Sequence, residues 1–457
     1  MRTALLLTPL TLAALAVAAC GDATLQQPGD ELGHSQPPGK LPDGVDQSVA
    51  PGPAGGGGAP DAGQPPAEDP LDQDRDDFCD GIGPLVDLGN GRNVERETCT
   101  GSIAEQVFAQ SVCTCGDART AGYVRTRGFD SRVEGAPDED DEGEASTGAS
   151  FGVNGSYLAG AGFTDIGGPF TVAGPEPLNF VGYLKAAGDL RMAPEAVIPG
   201  VTRSGRDAYL KGNYTSAVLR VERDLYHAGL VLAVPDIDGE VTQGPVRVDP
   251  PCACDDPYDI AGFVEQARQR NDNALIDLDP DALKQSVGST DLELPCGRYY
   301  LSEISGVGGI DVTVTGRVAL MVDGPVATLG RLEFELTEGA EIDVFIKGNL
   351  GSIGAIRFGD EARPAASRVY VASREDVVLI GGAAFVGNLY APYARVTAPA
   401  FLRVFGSLFV GDLDVAGYVN VAYDRSVTEL NCPGEDPEPP PGGAGGAGGG
   451  GGQGGEP

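Results

Sequence analysis

Histidine is almost missing from this chain: two residues, His34 and His227, in 457. Imidazole chemistry, whether a Ser-His-Asp triad or a His-rich metal site, has little to draw on. Positive charge is scarce as well. There are 31 Lys and Arg against 67 Asp and Glu, a net charge of -36, and no basic cluster. Nucleic acid is therefore not expected as a partner, and an anionic membrane surface should repel the protein. No Cys-x-x-Cys pair of the kind found in zinc ribbons and fingers occurs, so no metal is expected. Beyond the first 20 residues no apolar run is long enough to span a bilayer.

What is present begins at the N-terminus. Residues 1–19 carry Arg2, the apolar run "ALLLTPLTLAALAV" and small residues before Cys20, which is the pattern of an export signal. Val17, Ala18, Ala19 and Cys20 resemble the cleavage site of bacterial lipoprotein signals. The resemblance implies cleavage before Cys20, lipid on its sulfur and amino group, and membrane attachment through that lipid. Gly21, where an Asp would retain the protein in the inner membrane, implies an exported outer-membrane lipoprotein facing the periplasm or the cell surface. Residues 20–77 are Pro, Gly, Gln and Asp with hardly an aromatic. They read as a disordered tether because they cannot bury enough apolar surface to offset their ordering entropy. Residues 432–457 read as a tail of the same kind.

Setting Cys20 aside leaves eight cysteines, which in an oxidising compartment read as four disulfides. They fall into two groups, Cys79, Cys99, Cys113 and Cys115, then Cys252, Cys254, Cys296 and Cys432, each holding one Cys-x-Cys. Eight cysteines allow about 105 pairings; pairing mostly within each group is the expectation.

Between these markers the chain divides into a Cys-rich cap (78–137), an acidic loop "DEDDEGEASTG" (138–148), a first stretch of short strands (149–250), a Cys-x-Cys and helical insert (251–291) and a main strand-rich domain (292–431). In the insert, Ile260, Phe263, Val264 and Ala267 share a helical face behind a potential cap at Asp259. In "FLRVFGSLFVGDLDVAGYVNVAYD", residues 401–424, an apolar residue or Gly stands at every second place, which is strand periodicity. Gly387 and Gly406 keep the same spacing as Val396 and Val415, and "GNL" at 348–350 returns at 387–389. A fixed phase favours a coil of stacked turns over a meander, with Gly411-Asp412 as a corner. The expected fold is all-β: a right-handed parallel β-helix (solenoid) with a small helical insert and a disulfide-bonded N-terminal cap.

"LPCGRYYLSEI", "VALMVDG", "IDVFIKGNL", "LYAPYARVTAP", "VFGSLFVGDLDVAG" and "VAYDRSV" resemble an uncharacterised bacterial β-solenoid domain family of exported lipoproteins and type IV pilus-associated proteins, similar to bactofilin-like repeats. The resemblance covers roughly residues 250–430. It implies a solenoid fold and supplies no catalytic residue or cofactor.

Enzymatic motifs are weak. "GASFG", residues 148–152, matches a Gly-x-Ser-x-Gly elbow around Ser150, but an elbow needs a strand before it and a helix after it. The Asp-rich loops starting at Asp72 and Asp277 have Asp77 and Ala282 where a calcium loop needs Gly. The expected function is a lipid-anchored structural or adhesive scaffold of the cell envelope, with envelope glycans or other surface proteins as partners. The alternative is a glycan-acting or glycan-binding β-helix using an outer face with Arg395, Arg403, Asp414, Tyr418 and Asp424.

Overall fold

Alternation alone does not say whether Gly411 and Asp412 reverse the chain or bend it. In the computed structural model, which describes residues 75–76, 78–80, 100–133, 148–380 and 384–429, they bend it. Leu408–Val415 is one strand. Its first part pairs in parallel with residues 389–391 and its second with residues 395–398. The chain is a parallel β-solenoid of about 13 turns whose described residues include the short α-helices α1 (Thr100–Val107) and α2 (Ile260–Ala267).

A typical turn has three faces, as in residues 408–410, 413–415 and 419–421. The inward residues Leu408, Val410, Leu413, Val415, Val419 and Val421 are all buried, as the alternation requires. At Gly406 the backbone has φ +126 and a Cβ would run into the Gly387 carbonyl, so only glycine allows the turns to stack there.

The period is less regular than the sequence suggests. Leu389 stacks on Leu408, yet Val396 stacks on Leu413 rather than Val415, because the register shifts between Ala391 and Arg395. The two "GNL" segments are not equivalent either: Leu389 lies over Val369, which lies over Val344, whereas Leu350 lies over Val326.

The order of turns along the axis is not the order of the sequence. Residues 112–129 form a turn in mid-stack, with Val112–Thr114 paired to residues 408–410 on one side and to Phe151–Val153 on the other. From there a first arm winds outward to Val241–Gln243. The chain then returns as a strap, residues 244–285, and a second arm winds from Ser286 back to Asp424, which meets Phe129. The two strand stretches expected at 149–250 and 292–431 are thus one coil, and part of the Cys-rich segment is the turn that joins them.

The strap covers one face of the second arm. There, outward residues Tyr300, Met321, Phe345, Tyr370, Tyr390 and Phe409 stack in register and form a second core with Ile260 and Val264 of α2. Asp259 caps α2 as expected, its Oδ1 accepting from Gly262 N at 3.0 Å. The helix ends at Ala267, whose carbonyl accepts from Asn271 Nδ2 at 2.8 Å, and beyond it Asn273 ties the strap to the second arm: Tyr300 N donates to its Oδ1 at 2.9 Å and its Nδ2 donates to Tyr300 O at 2.8 Å.

Candidate functional site

The three disulfides among the described residues are Cys79–Cys296, Cys113–Cys252 and Cys115–Cys254. Each crosses between the two groups, which corrects the expectation of pairing within them. The cause is geometric. In an extended Cys-x-Cys both side chains point to one side. Cys113 and Cys115 point out of the joining turn, and the strap lays Cys252 and Cys254 across them with Cα separations of 5.8 and 5.7 Å. Cys20, Cys99 and Cys432 lie outside the described residues, as do the signal, the tail, His34, nearly all of the tether and of the acidic loop, and most of the loop starting at Asp72.

The catalytic motifs do not assemble. Ser150 enters the strand Phe151–Val153 with no helix after it, and its carbonyl accepts from Val112 N at 3.2 Å. His227 is four turns further along the same face, about 19 Å at the usual strand spacing. Its Nδ1 lies 2.9 Å from the Gly229 carbonyl. The loop after Asp277 turns Leu278 and Leu283 into the end of the second arm, where both are buried. That loop is a plug, and no group of three metal-ligating side chains is found among the described residues.

The five residues of the glycan alternative separate. Asp424 is buried and accepts from Ser426 Oγ at 2.8 Å and from Ser131 N at 3.1 Å, so it belongs to the joint. Arg395 pairs with Asp412 at 3.3 Å. Asp414, stacked between Thr397 and Arg119, shares that face with them. Arg403 and Tyr418 lie on the third face.

There the structure gathers around Tyr418 and Arg403 residues that the sequence did not single out. Phe401, Tyr418, Tyr123 and Phe163 stack on successive turns with ring centroids 4.7 to 4.9 Å apart and planes within 6°. Tyr183, Val201, Val218 and Val234 continue the stripe in register. Beside it runs a second column of Arg403, Asn420, Arg125, Asp165, Lys185, Arg203 and Arg220, in which Lys185 bonds Asp165 at 3.2 Å and the Arg125 guanidinium lies 5.5 Å from the Phe163 ring centre. The signal was a repeated Gly-aromatic step: Gly122-Tyr123, Gly162-Phe163, Gly182-Tyr183 and Gly417-Tyr418.

Further down the same face the charges are mixed, with Arg331 bonded to Asp311 at 2.6 Å and to Glu333 at 3.5 Å. Asp291, Asp311 and Glu333 align on the first turns of the second arm. A cleft of about 520 Å³ opens there, lined by Glu333, Glu335, Arg357, Asp360 and Glu361. On the outward, covered side of the second arm, Arg368 is fully buried and bidentate on Asp343 at 2.6 and 2.9 Å, with Glu341 at 2.8 Å. Burial disfavours its charge, yet Asp343 and Glu341 hold the guanidinium well above its usual range. Removing one partner of such a pair strands the other in the core.

Residues 250–430 match the model of a domain of unknown function, DUF7305. No curated protein and no solved structure matches the chain.

Proposed function

We propose that this protein is a lipid-anchored component of the cell envelope whose coil works as a structural or adhesive scaffold. The observation that carries the reading is the joint. Two arms wound from separate parts of the sequence meet in one uninterrupted stack, and a strap bonded to the joining turn by two disulfides secures it. The product is a rod about 60 Å long at the usual strand spacing, and its surface features are stripes extended along the axis, suited to side-on contact with another large surface. Disulfides fit an oxidising compartment. The segment 1–19 and Cys20 supply export and attachment to the outer membrane by their resemblance to lipoprotein signals.

Complementation of a deletion strain tests this, scored by adhesion, surface motility and envelope integrity. Cys20→Ser should release a folded protein and lose the phenotype, while Ser150→Ala and His227→Ala should rescue fully. Full rescue by Cys20→Ser, with loss of rescue on changing one polar residue, would favour a diffusible enzyme and overturn the scaffold reading.

A further inference from the structure

We propose that Asn154, supported by Gly152 and Gln110, sets the disulfide register of the strap. It seats Cys252 against Cys113 before oxidation and so selects one of the ways in which the two Cys-x-Cys motifs can be joined. The inference does not depend on the scaffold reading.

Four cysteines allow about three pairings. Bridges within each motif are the nearest in sequence, yet residues two apart in a strand stand roughly 6.6 Å from each other, at the edge of what a disulfide accepts. With Cys113 held in the strand Val112–Thr114, the choice passes to the strap. A strap that slipped by two residues would bring Cys252 to Cys115, or Cys254 to Cys113, and leave the other two thiols apart. No sheet ladder prevents this, because no strand lies between Gln243 and Ser286.

What holds the strap in place here is a side chain. Asn154 follows the strand Phe151–Val153 on the turn beside the joining turn, and its own N–H donates to Thr114 O at 3.0 Å. From there its Nδ2 donates to Cys252 O at 2.9 Å and its Oδ1 accepts from Cys252 N at 3.0 Å. Both main-chain groups of Cys252 are thus taken by one amide, as a neighbouring strand would take them, and a slip of the strap breaks both bonds. Nδ2 also lies 3.4 Å from Cys254 Sγ. One residue earlier, Gln110 Nε2 donates to Pro251 O at 2.6 Å. Pro251 rests over Gly152, where a Cβ would stand 2.9 Å from Pro251 Cβ, so any larger residue there would lift the strap. Apart from the sulfur contact, these interactions need no thiol, and the strap can be seated while all four cysteines are reduced. Each bridge then turns two thiols into one S–S bond, with two electrons and two protons passing to a disulfide oxidant that is itself reduced to two thiols.

Oxidative refolding of the reduced full chain in a glutathione buffer tests the proposal, with bridges trapped by alkylation and mapped by mass spectrometry of peptides. In the wild type Cys113–Cys252 should form ahead of Cys115–Cys254, because the seat grips Cys252 directly. Asn154→Ala should lower the ratio of native to slipped or within-motif bridges at least about tenfold, the worth of two hydrogen bonds. Asn154→Asp, which keeps the acceptor and loses the donor, should fall between. Asn213→Ala removes side-chain bonds to Glu195 and Leu230 further along the first arm and should leave the ratio unchanged, which separates lost register from lost stability. Native pairing at the wild-type ratio in Asn154→Ala overturns the proposal, and so does an equal loss in Asn213→Ala. Should Asn154→Ala fail to fold, the wild type alone decides: a lead of Cys115–Cys254 over Cys113–Cys252 overturns the proposal as well.

Discussion

The two arms wind alike and differ in what their first face meets. Along the second arm the outward column Tyr300, Met321, Phe345, Tyr370, Tyr390 and Phe409 lies under the strap and is buried or nearly so. Along the first arm the same column continues as Arg191, Tyr209 and Tyr226, half-buried, with the Arg191 guanidinium 4.6 Å from the Tyr209 ring centre and the two tyrosine rings stacked at 5.0 Å. The ends differ as well. Leu278 and Leu283 plug the second arm, whereas the first arm finishes in the exposed strand Val241–Gln243. Winding is therefore set by the inward residues alone, and the outward residues decide whether a face becomes a second core or a surface.

The comparison can be broken at its hinge. Leu408 is fully buried and stacks between Leu389 and Val112, where the arms meet. Leu408→Asp places an unpaired charge in a dry core and should cost about 4 kcal/mol or more. It should abolish cooperative thermal unfolding followed by circular dichroism, and an unchanged melting temperature would refute the register at the joint.

The strap gives the next effect. Cys113–Cys252 and Cys115–Cys254 each close a loop of 139 residues, but once one is made the other closes only a small ring. Replacing all four cysteines by Ser should cost about 5 kcal/mol or more, while replacing either pair should cost about 2 kcal/mol. Denaturant midpoints of the three variants measure this, and equal losses from either single pair and from both would show that the bridges do not act on one loop.

Equivalent truncations in the two arms sharpen the contrast. Tyr390→Ala, beneath the strap, should cost about 3–5 kcal/mol, and Tyr226→Ala, on the open face, less than about 1 kcal/mol. Similar melting shifts for both would mean that the strap shields nothing.

The smallest expected effect is a pH dependence at the joint. Arg132 donates to Asp130 at 2.9 and 2.7 Å and holds its carboxyl down at about 2, from 3.8. A depressed carboxyl stabilises the fold above its unfolded pKa and loses that contribution as pH falls through the folded value. The loss should therefore fall between pH 3.8 and about 2. The pair is partly exposed, so the slope should be shallow. Asp130→Asn should flatten it in acid titrations of stability.

How far the sequence could be read follows from the same contrast. Inward alternation at residues 402–421 was legible because each turn repeats a local rule. The second core was legible only in part: "VALMV" at 318–322 is apolar at consecutive positions, the mark of a strand covered on both sides, but nothing local says what covers it. The pairing of residues 112–129 with residues 408–424 has no sequence signature, since it depends on the strap bringing distant ends together. The disulfides followed the same logic, joining segments that are neighbours only after the coil has closed. The aromatic stripe was visible as a Gly-aromatic step and was missed because its spacing is irregular and spans both arms.

Cys79–Cys296 has a mechanical consequence. Tension reaching the fold from the N-terminal side of Arg75 passes at Cys79 to Cys296, on the strand pair that opens the second arm. From Cys296 the chain runs back through the strap to Cys254, and there a second bridge leads to Cys115 in the joining turn. A covalent cable thus links the entry point at one end of the rod to its middle without passing through a single ladder hydrogen bond. Pulled along its axis, the second arm is spared the peeling that would part its turns one by one, and reduction of Cys79–Cys296, or of both bridges between the strap and the joining turn, would return that tension to the sheet.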